Sequence, residues 1–172
     1  MFDLQPQHLQ NKEVKLLPLK DEHFDVLFNV ASDPLIWEQH PNKYRYQRDV
    51  FKNYFEGAML SGGAFLVLDS KTDEVVGCSR FYDYDEKEKT ILIGYTFLGR
   101  KFWGNGYNKA LKKLMIDHAF QHVDKIYFHI GARNYRSQKA IEKIGALKVA
   151  EFEVAYFGEE SKLNFSYLIQ KK

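Results

Sequence analysis

The chain contains a single cysteine, Cys78, so no internal disulfide can form and a reducing compartment is the natural setting. Proline is also scarce, with four in 172 residues, and no Pro- or Gly-rich stretch marks a linker. With no internal repeat either, residues 1–172 read as one domain. No run approaches the roughly 20 apolar residues needed to cross a bilayer. The opening residues, Met1 to Pro6, lack the basic and apolar regions of a secretory signal, so the expected location is cytoplasmic. Strong charge is missing as well. Twenty-five basic against 23 acidic side chains leave a net +2, too weak a field for general nucleic-acid or membrane binding, and neither partner is expected.

What is present is apolar and aromatic. Hydrophobic residues make up 45% and aromatics 16%, which suits a core containing a sheet. Val14 and Leu16 alternate with charged residues in a strand that closes near Pro18. Asp21 stands where an N-cap belongs, ahead of Phe24, Leu27, Val30 and Ala31 at helical spacing. A second helix is predicted from Gln47 to Leu60, with Val50, Phe51, Tyr54 and Phe55 on its apolar face. Three strand-like runs follow, Ala64–Asp69, Glu74–Tyr84 and Thr90–Leu98, joined by turns too short for parallel crossovers. A Gly-containing turn then leads into a helix carrying Tyr107, Ala110, Leu111, Leu114, Met115 and His118. A strand at Lys125–Gly131, a helix at Arg133–Ile144 stopped by Gly145, and strands near Lys148–Phe157 and Leu163–Gln170 complete the chain. The order β-α-α-β-β-β-α-β-α-β-β implies an α/β sheet, antiparallel at first and locally parallel around the strand–turn–helix.

That strand–turn–helix, Leu98 to Asn108, is the most informative segment. Glycines there let backbone N–H groups approach an anion, and the helix N-terminus adds roughly half a positive charge, so a pyrophosphate is a natural guest. An ordinary tight loop would also use glycines for geometry alone. Two phosphate motifs are excluded by spacing. Lys109 occupies the place of the third Rossmann glycine, and Gly106-Tyr107-Asn108 is not the Gly-Lys-Ser/Thr of a P-loop.

Leu98, four spacers, Trp103, two spacers, Gly106, one spacer and Asn108 resemble the acetyl-CoA signature of GNAT acetyltransferases. The Trp-Gly-x-Gly-Tyr run resembles its RimJ/RimL branch. A second similar segment is Asn134-Tyr135-Arg136-Ser137 with Lys143-Ile144-Gly145-Ala146, and a third is Asp33-Pro34-Leu35-Ile36-Trp37. The resemblance implies the GNAT fold, a central mixed sheet flanked by helices. Its N-terminal part would be antiparallel, with a parallel pair splayed around the acetyl-CoA cleft. It further implies Phe97 and Leu98 beside pantetheine, Trp103, Gly104, Asn105, Gly106, Tyr107 and Asn108 at the pyrophosphate, and Asn134 and Ser137 facing the cofactor arm.

The departures concern catalysis. Trp103 replaces Gln or Arg, Asn108 replaces Gly or Ala, Leu92 stands where relatives carry Glu, and Ile141 where others carry a proton-donating Tyr. A catalytically silent acyl-CoA-binding or regulatory module is therefore the competing reading. An amine attacking a thioester must be neutral, whereas its pKa in water is about 8 to 10, so a base is wanted; an acid can protonate the departing thiolate. Ser137 is the candidate acid, and Glu38 and His40, after the Trp37 segment, are the candidate bases. His129 is expected near the cofactor but packed in the sheet. Trp37, Tyr82 and Tyr95 are candidate substrate contacts, and the acidic turn Asp83–Glu88 is expected near the cleft mouth, favouring a cationic amine. Lys109, Lys112 and Lys113 read as the solvated face of their helix. The expected partners are acetyl-CoA and an amine acceptor, with no metal, in a monomer or homodimer.

Overall fold

The computed structural model describes residues 1–155 and 158–172. Eight strands are described: β1 (Leu9–Gln10), β2 (Val14–Pro18), β3 (Ala64–Asp69), β4 (Val75–Asp85), β5 (Thr90–Leu98), β6 (Lys125–Gly131), β7 (Leu147–Ala155) and β8 (Ser161–Gln170). They form one sheet in the order β1-β2-β3-β4-β5-β6-β8-β7, and only β5–β6 is parallel. The helices are α1 (Phe24–Ala31), α2 (Arg48–Ser61), α3 (Tyr107–Ala119) and α4 (Tyr135–Lys143).

This is the expected element order with β1 added. Two residues are too few to show a period, and β1 exists because Leu9 pairs with Leu16 of β2. Asp21 does not cap α1; it opens a 3₁₀ turn, Asp21–His23, which the His23 ring closes by accepting from the Lys20 N–H. The helix therefore begins at Phe24. The last two residues of the expected strand ending at Phe157 lie outside the described residues.

The sheet divides two cores. Phe65, Val67, Phe81, Ile91, Ile93, Leu111, Met115 and Ile141 pack on the α3/α4 side. Leu27, Phe51, Tyr54, Phe55, Leu66, Cys78 and Phe97 pack on the α1/α2 side. All six residues of β3 are buried, which is why it reads as a continuous apolar run rather than an alternation. Phe51, Tyr54, Phe55 and Ala58 recur at helical spacing along α2, and burial of each large side chain contributes about 1.5–3 kcal/mol.

Two irregularities of β5 position the site. Cys78 pairs with Phe97 but Arg80 with Gly94, so β5 carries one extra residue, a β-bulge in which Tyr95 takes a left-handed φ of +53°. For a tyrosine that conformation costs about 1–3 kcal/mol, and the Tyr54 hydroxyl pins it by donating to the Tyr95 carbonyl. Side-chain alternation inverts there: Ile91 and Ile93 face one core, Phe97 the other. Second, β5 and β6 pair only at Thr90–Lys125, Ile91–Ile126 and Leu92–Tyr127, and beyond these residues the strands diverge.

Candidate active site

The divergence opens a cavity of about 790 Å³, within the usual size of a small-ligand site. One wall is residues 93–98 of β5, whose edge toward β6 has no strand partner there. The other wall is residues 128–131 of β6 with α4, and the floor is the first turns of α3. At one end lies the glycine turn. Gly104 (φ +74°) and Gly106 (φ +83°) are left-handed, and Gly106 precedes α3 with no side-chain cap, which leaves the first-turn amides to an outside acceptor. Trp103 closes the turn onto the strand, its indole N–H donating to the Leu98 carbonyl at 3.0 Å.

The lining is cationic. Lys109, Arg136, Lys139 and Lys143 border the cavity, and no carboxylate does among the described residues. Arg136 stacks 3.7 Å above the Trp103 ring and donates to the Ile36 carbonyl at 3.3 Å, tying α4 to the loop before α2. Its pKa is lowered by burial, against the pull of Glu38. Fixed positive charge beside free helix amides fits the pyrophosphate of CoA, and the unpaired strand edge fits the amide-bearing pantetheine arm.

Of the residues singled out from the sequence, Phe97, Leu98, Trp103, Gly104, Gly106, Asn108, Asn134, Ser137, Trp37, His40 and Tyr95 are brought together around this cavity. Asn134 caps α4, its side chain accepting from the Ser137 N–H at 3.4 Å. The Ser137 hydroxyl itself bonds no other group among the described residues, and the residue lines the cavity.

Other residues lie elsewhere. Glu38 is exposed and outside the cavity lining, as are Asn105 and the acidic turn; Tyr82 is half-buried outside it. Tyr107 turns the other way and donates to Asp69, a bond that leads the causes holding that carboxyl down at about 2. Trp37 is a buried wall whose indole N–H donates to the Ala31 carbonyl at 2.8 Å. His129 lines the cavity against Phe152, and burial lowers its pKa to about 4. Lys112 is not on a solvated face: it is buried, and donates to Thr96 Oγ1 at 2.5 Å.

The end opposite the glycine turn is built from side chains. Arg45, 1% exposed, makes a bidentate pair with Glu159 at 2.6 and 2.8 Å and stands over the Tyr54 ring at 5.1 Å. His40 lies between them and the loop: its Nδ1 accepts from the Asn42 N–H at 2.9 Å while Nε2 faces Arg45 Nη1 at 3.3 Å. A neutral imidazole has only one acceptor nitrogen, so His40 accepts from only one of these two donors at a time. Burial first and Arg45 second hold the His40 pKa well below its usual value. Pro41 seats this loop on the end of β6, where a Cβ on Gly131 would stand 2.5 Å from the proline ring. Sequence reading missed Arg45, whose partner is 114 positions away.

The model of the acetyltransferase (GNAT) domain matches residues 13–147. The uncharacterized N-acetyltransferase p20 of Bacillus licheniformis is 26% identical over 148 residues, 81% of this chain and 82% of that protein. The crystal structure of a GNAT-family acetyltransferase from Bacillus anthracis superposes with a TM-score of 0.75 at 18% identity, covering 95% of this chain and 98% of that one. The microcin C7 self-immunity acetyltransferase MccE, in complex with acetyl-CoA and AMP, gives 0.76 at 15% identity, covering 98% and 99%. The chain belongs to the GNAT acetyltransferases, in the RimJ/RimL-type family. It is an N-acetyltransferase, and enzymes of this family use acetyl-CoA. Among the described residues no helix is long and apolar enough to cross a membrane.

Proposed function

We propose that residues 1–172 act as one transferase domain that moves an acetyl group from acetyl-CoA to a primary amine, on a small molecule or a peptide N-terminus, by direct attack in a ternary complex. The observation that carries this reading is the splay of β5 from β6 above the Gly104–Gly106 turn, with the Ser137 hydroxyl free in the same cavity. The acetyl-CoA in the MccE complex supports the same donor.

In this reading the amides after Gly106 and the cationic lining take the pyrophosphate, and the 93–98 edge takes the pantetheine arm beside Phe97 and Leu98. Acetyl-CoA supplies a thioester, a carbonyl carbon with a good leaving group. The chain's contribution is to hold an uncharged amine against that carbon, a positioning effect that can remove several kcal/mol of barrier. The amine forms the N–C bond as C–S breaks, and Ser137 donates a proton toward the departing sulfur.

No side chain is assigned as base. Glu38 is exposed away from the cavity, His40 uses its Nδ1 lone pair on Asn42, and His129 at about 4 is a weak acceptor near neutrality. Water in the cleft takes the proton. Turnover should then rise with pH toward the pKa of the acceptor itself. Release of CoA from acetyl-CoA across a panel of amino acids, polyamines, aminoglycosides and N-terminal peptides tests the proposal. Acetylation of hydroxyl compounds alone, with every amine inert, would refute it.

A further inference from the structure

Lys112 has no part in the chemistry above, yet among the described residues it is the one buried amine that lines the cleft. It extends from α3, beside the core residue Leu111, and is 5% exposed. Its Nζ donates to Thr96 Oγ1 at 2.5 Å, and that oxygen shares a hydrogen bond of 2.8 Å with Ser79 Oγ. Among the described residues no carboxylate pairs with it. Thr96 belongs to the unpaired stretch of β5, next to the bulged Tyr95, so one threonine side chain separates the amine from the strand edge that borders the cleft.

We propose that Lys112 is an internal acyl acceptor: when no external amine fills the cleft, acetyl-CoA held along β5 acetylates the protein at this residue. The proposal rests on acetyl-CoA seating along that strand, as proposed above. In the step, the Nζ lone pair forms the N–C bond to the acetyl carbonyl carbon, and the C–S bond breaks with its electron pair on sulfur. The proton lost from nitrogen ends on the thiolate. The products are free CoA and Nε-acetyl-Lys112, with no oxidant or further reactant.

Three observations select this lysine. It borders the same cavity as Phe97 and Ser137. Its nitrogen is held by a hydroxyl rather than a carboxylate, so no ion pair must be broken to free the lone pair. Burial lowers its pKa from 10.5 to about 7, so a large fraction is the uncharged, nucleophilic form near neutrality. Lys109, Lys139 and Lys143 border the cleft too, but they are exposed and keep their hydration. Acetylated Lys112 would be uncharged and longer at the cleft floor, so the modification should slow transfer to external amines.

The test is incubation of the purified protein with acetyl-CoA and no added amine, followed by intact-mass measurement and peptide mapping. CoA affinity is measured alongside by calorimetry. The expected result is one acetyl group per chain, on Lys112, formed at a rate that rises through about pH 7 and then levels as the amine loses its proton. Lys112→Arg and Lys112→Met should both lack this label while binding CoA. Label spread over the exposed lysines, unchanged in Lys112→Met, overturns the proposal. An unmodified chain that still acetylates added amines overturns it too and leaves the proposed function standing. Absence of CoA binding removes both.

Discussion

The two ends of the cleft are made of different material. At the glycine-turn end the chain offers backbone: left-handed glycines, uncapped amides of α3, and the open edge of β5. At the far end it offers side chains, with Arg45 clamped by Glu159, His40 wedged between Arg45 and Asn42, and the Tyr54, Trp37 and Tyr95 rings around them. A backbone site is set by local dihedral preferences and accepts one generic ligand class. A side-chain site is set by residues distant in sequence, and can change its ligand without disturbing the fold. In the function proposed above, the common part of the substrate pair meets backbone and the variable part meets side chains.

The division can be broken from either end. The largest effect is expected from Glu159→Ala, which leaves the Arg45 guanidinium buried without its carboxylate partner. Urea unfolding should show a loss of about 3–5 kcal/mol, with CoA affinity in the folded protein little changed. A loss below about 1 kcal/mol would mean that water or another group replaces Glu159. From the other end, Gly106→Val forces a branched residue to φ +83° at the start of α3 and should weaken acetyl-CoA binding on the order of 100-fold, read by calorimetry. Stability should move far less than in Glu159→Ala. Ser137→Ala should lower kcat by about 10- to 100-fold at unchanged thermal midpoint. Normal turnover in a less stable variant would reduce Ser137 to a helix residue.

A pH-dependent effect sharpens the comparison, because Lys112 carries an electrostatic cost beside the backbone-built end. Its folded pKa lies below the unfolded one, so between about pH 7 and pH 10 the unfolded chain binds more protons and stability rises with pH. The stability gap between Lys112→Met and the wild type should shrink by up to about 1.4 kcal/mol per pH unit over that range. Denaturant titrations at several pH values check it, and a constant gap would mean that the amine stays charged when buried.

The glycine turn was legible in the sequence because glycines at fixed offsets report dihedral needs directly. Alternation along β2, the strand-like runs of β3 to β5 and helical spacing along α2 gave the layers. Arg45 could not be read, because nothing near Tyr44 or Tyr46 indicates a carboxylate more than a hundred residues away. Lys112 and Lys113 are identical neighbours with opposite fates. Lys113 is exposed and pairs with Asp117, while Lys112 lies one helical step round, where the β5 bulge has turned Thr96 toward it. That distinction depends on a strand irregularity which period-two reading cannot register.

The bulge has a consequence for change in length. Because Tyr95 is the extra residue, every β5 side chain after it owes its face to a count that is one too many. Removing Tyr95 would not merely trim the strand. It would turn Phe97 from the α1/α2 core to the α3 side and Thr96 away from Lys112, while Ile91 and Ile93 stayed in place. Around this position the fold can accept substitutions, but it has little room for a one-residue insertion or deletion.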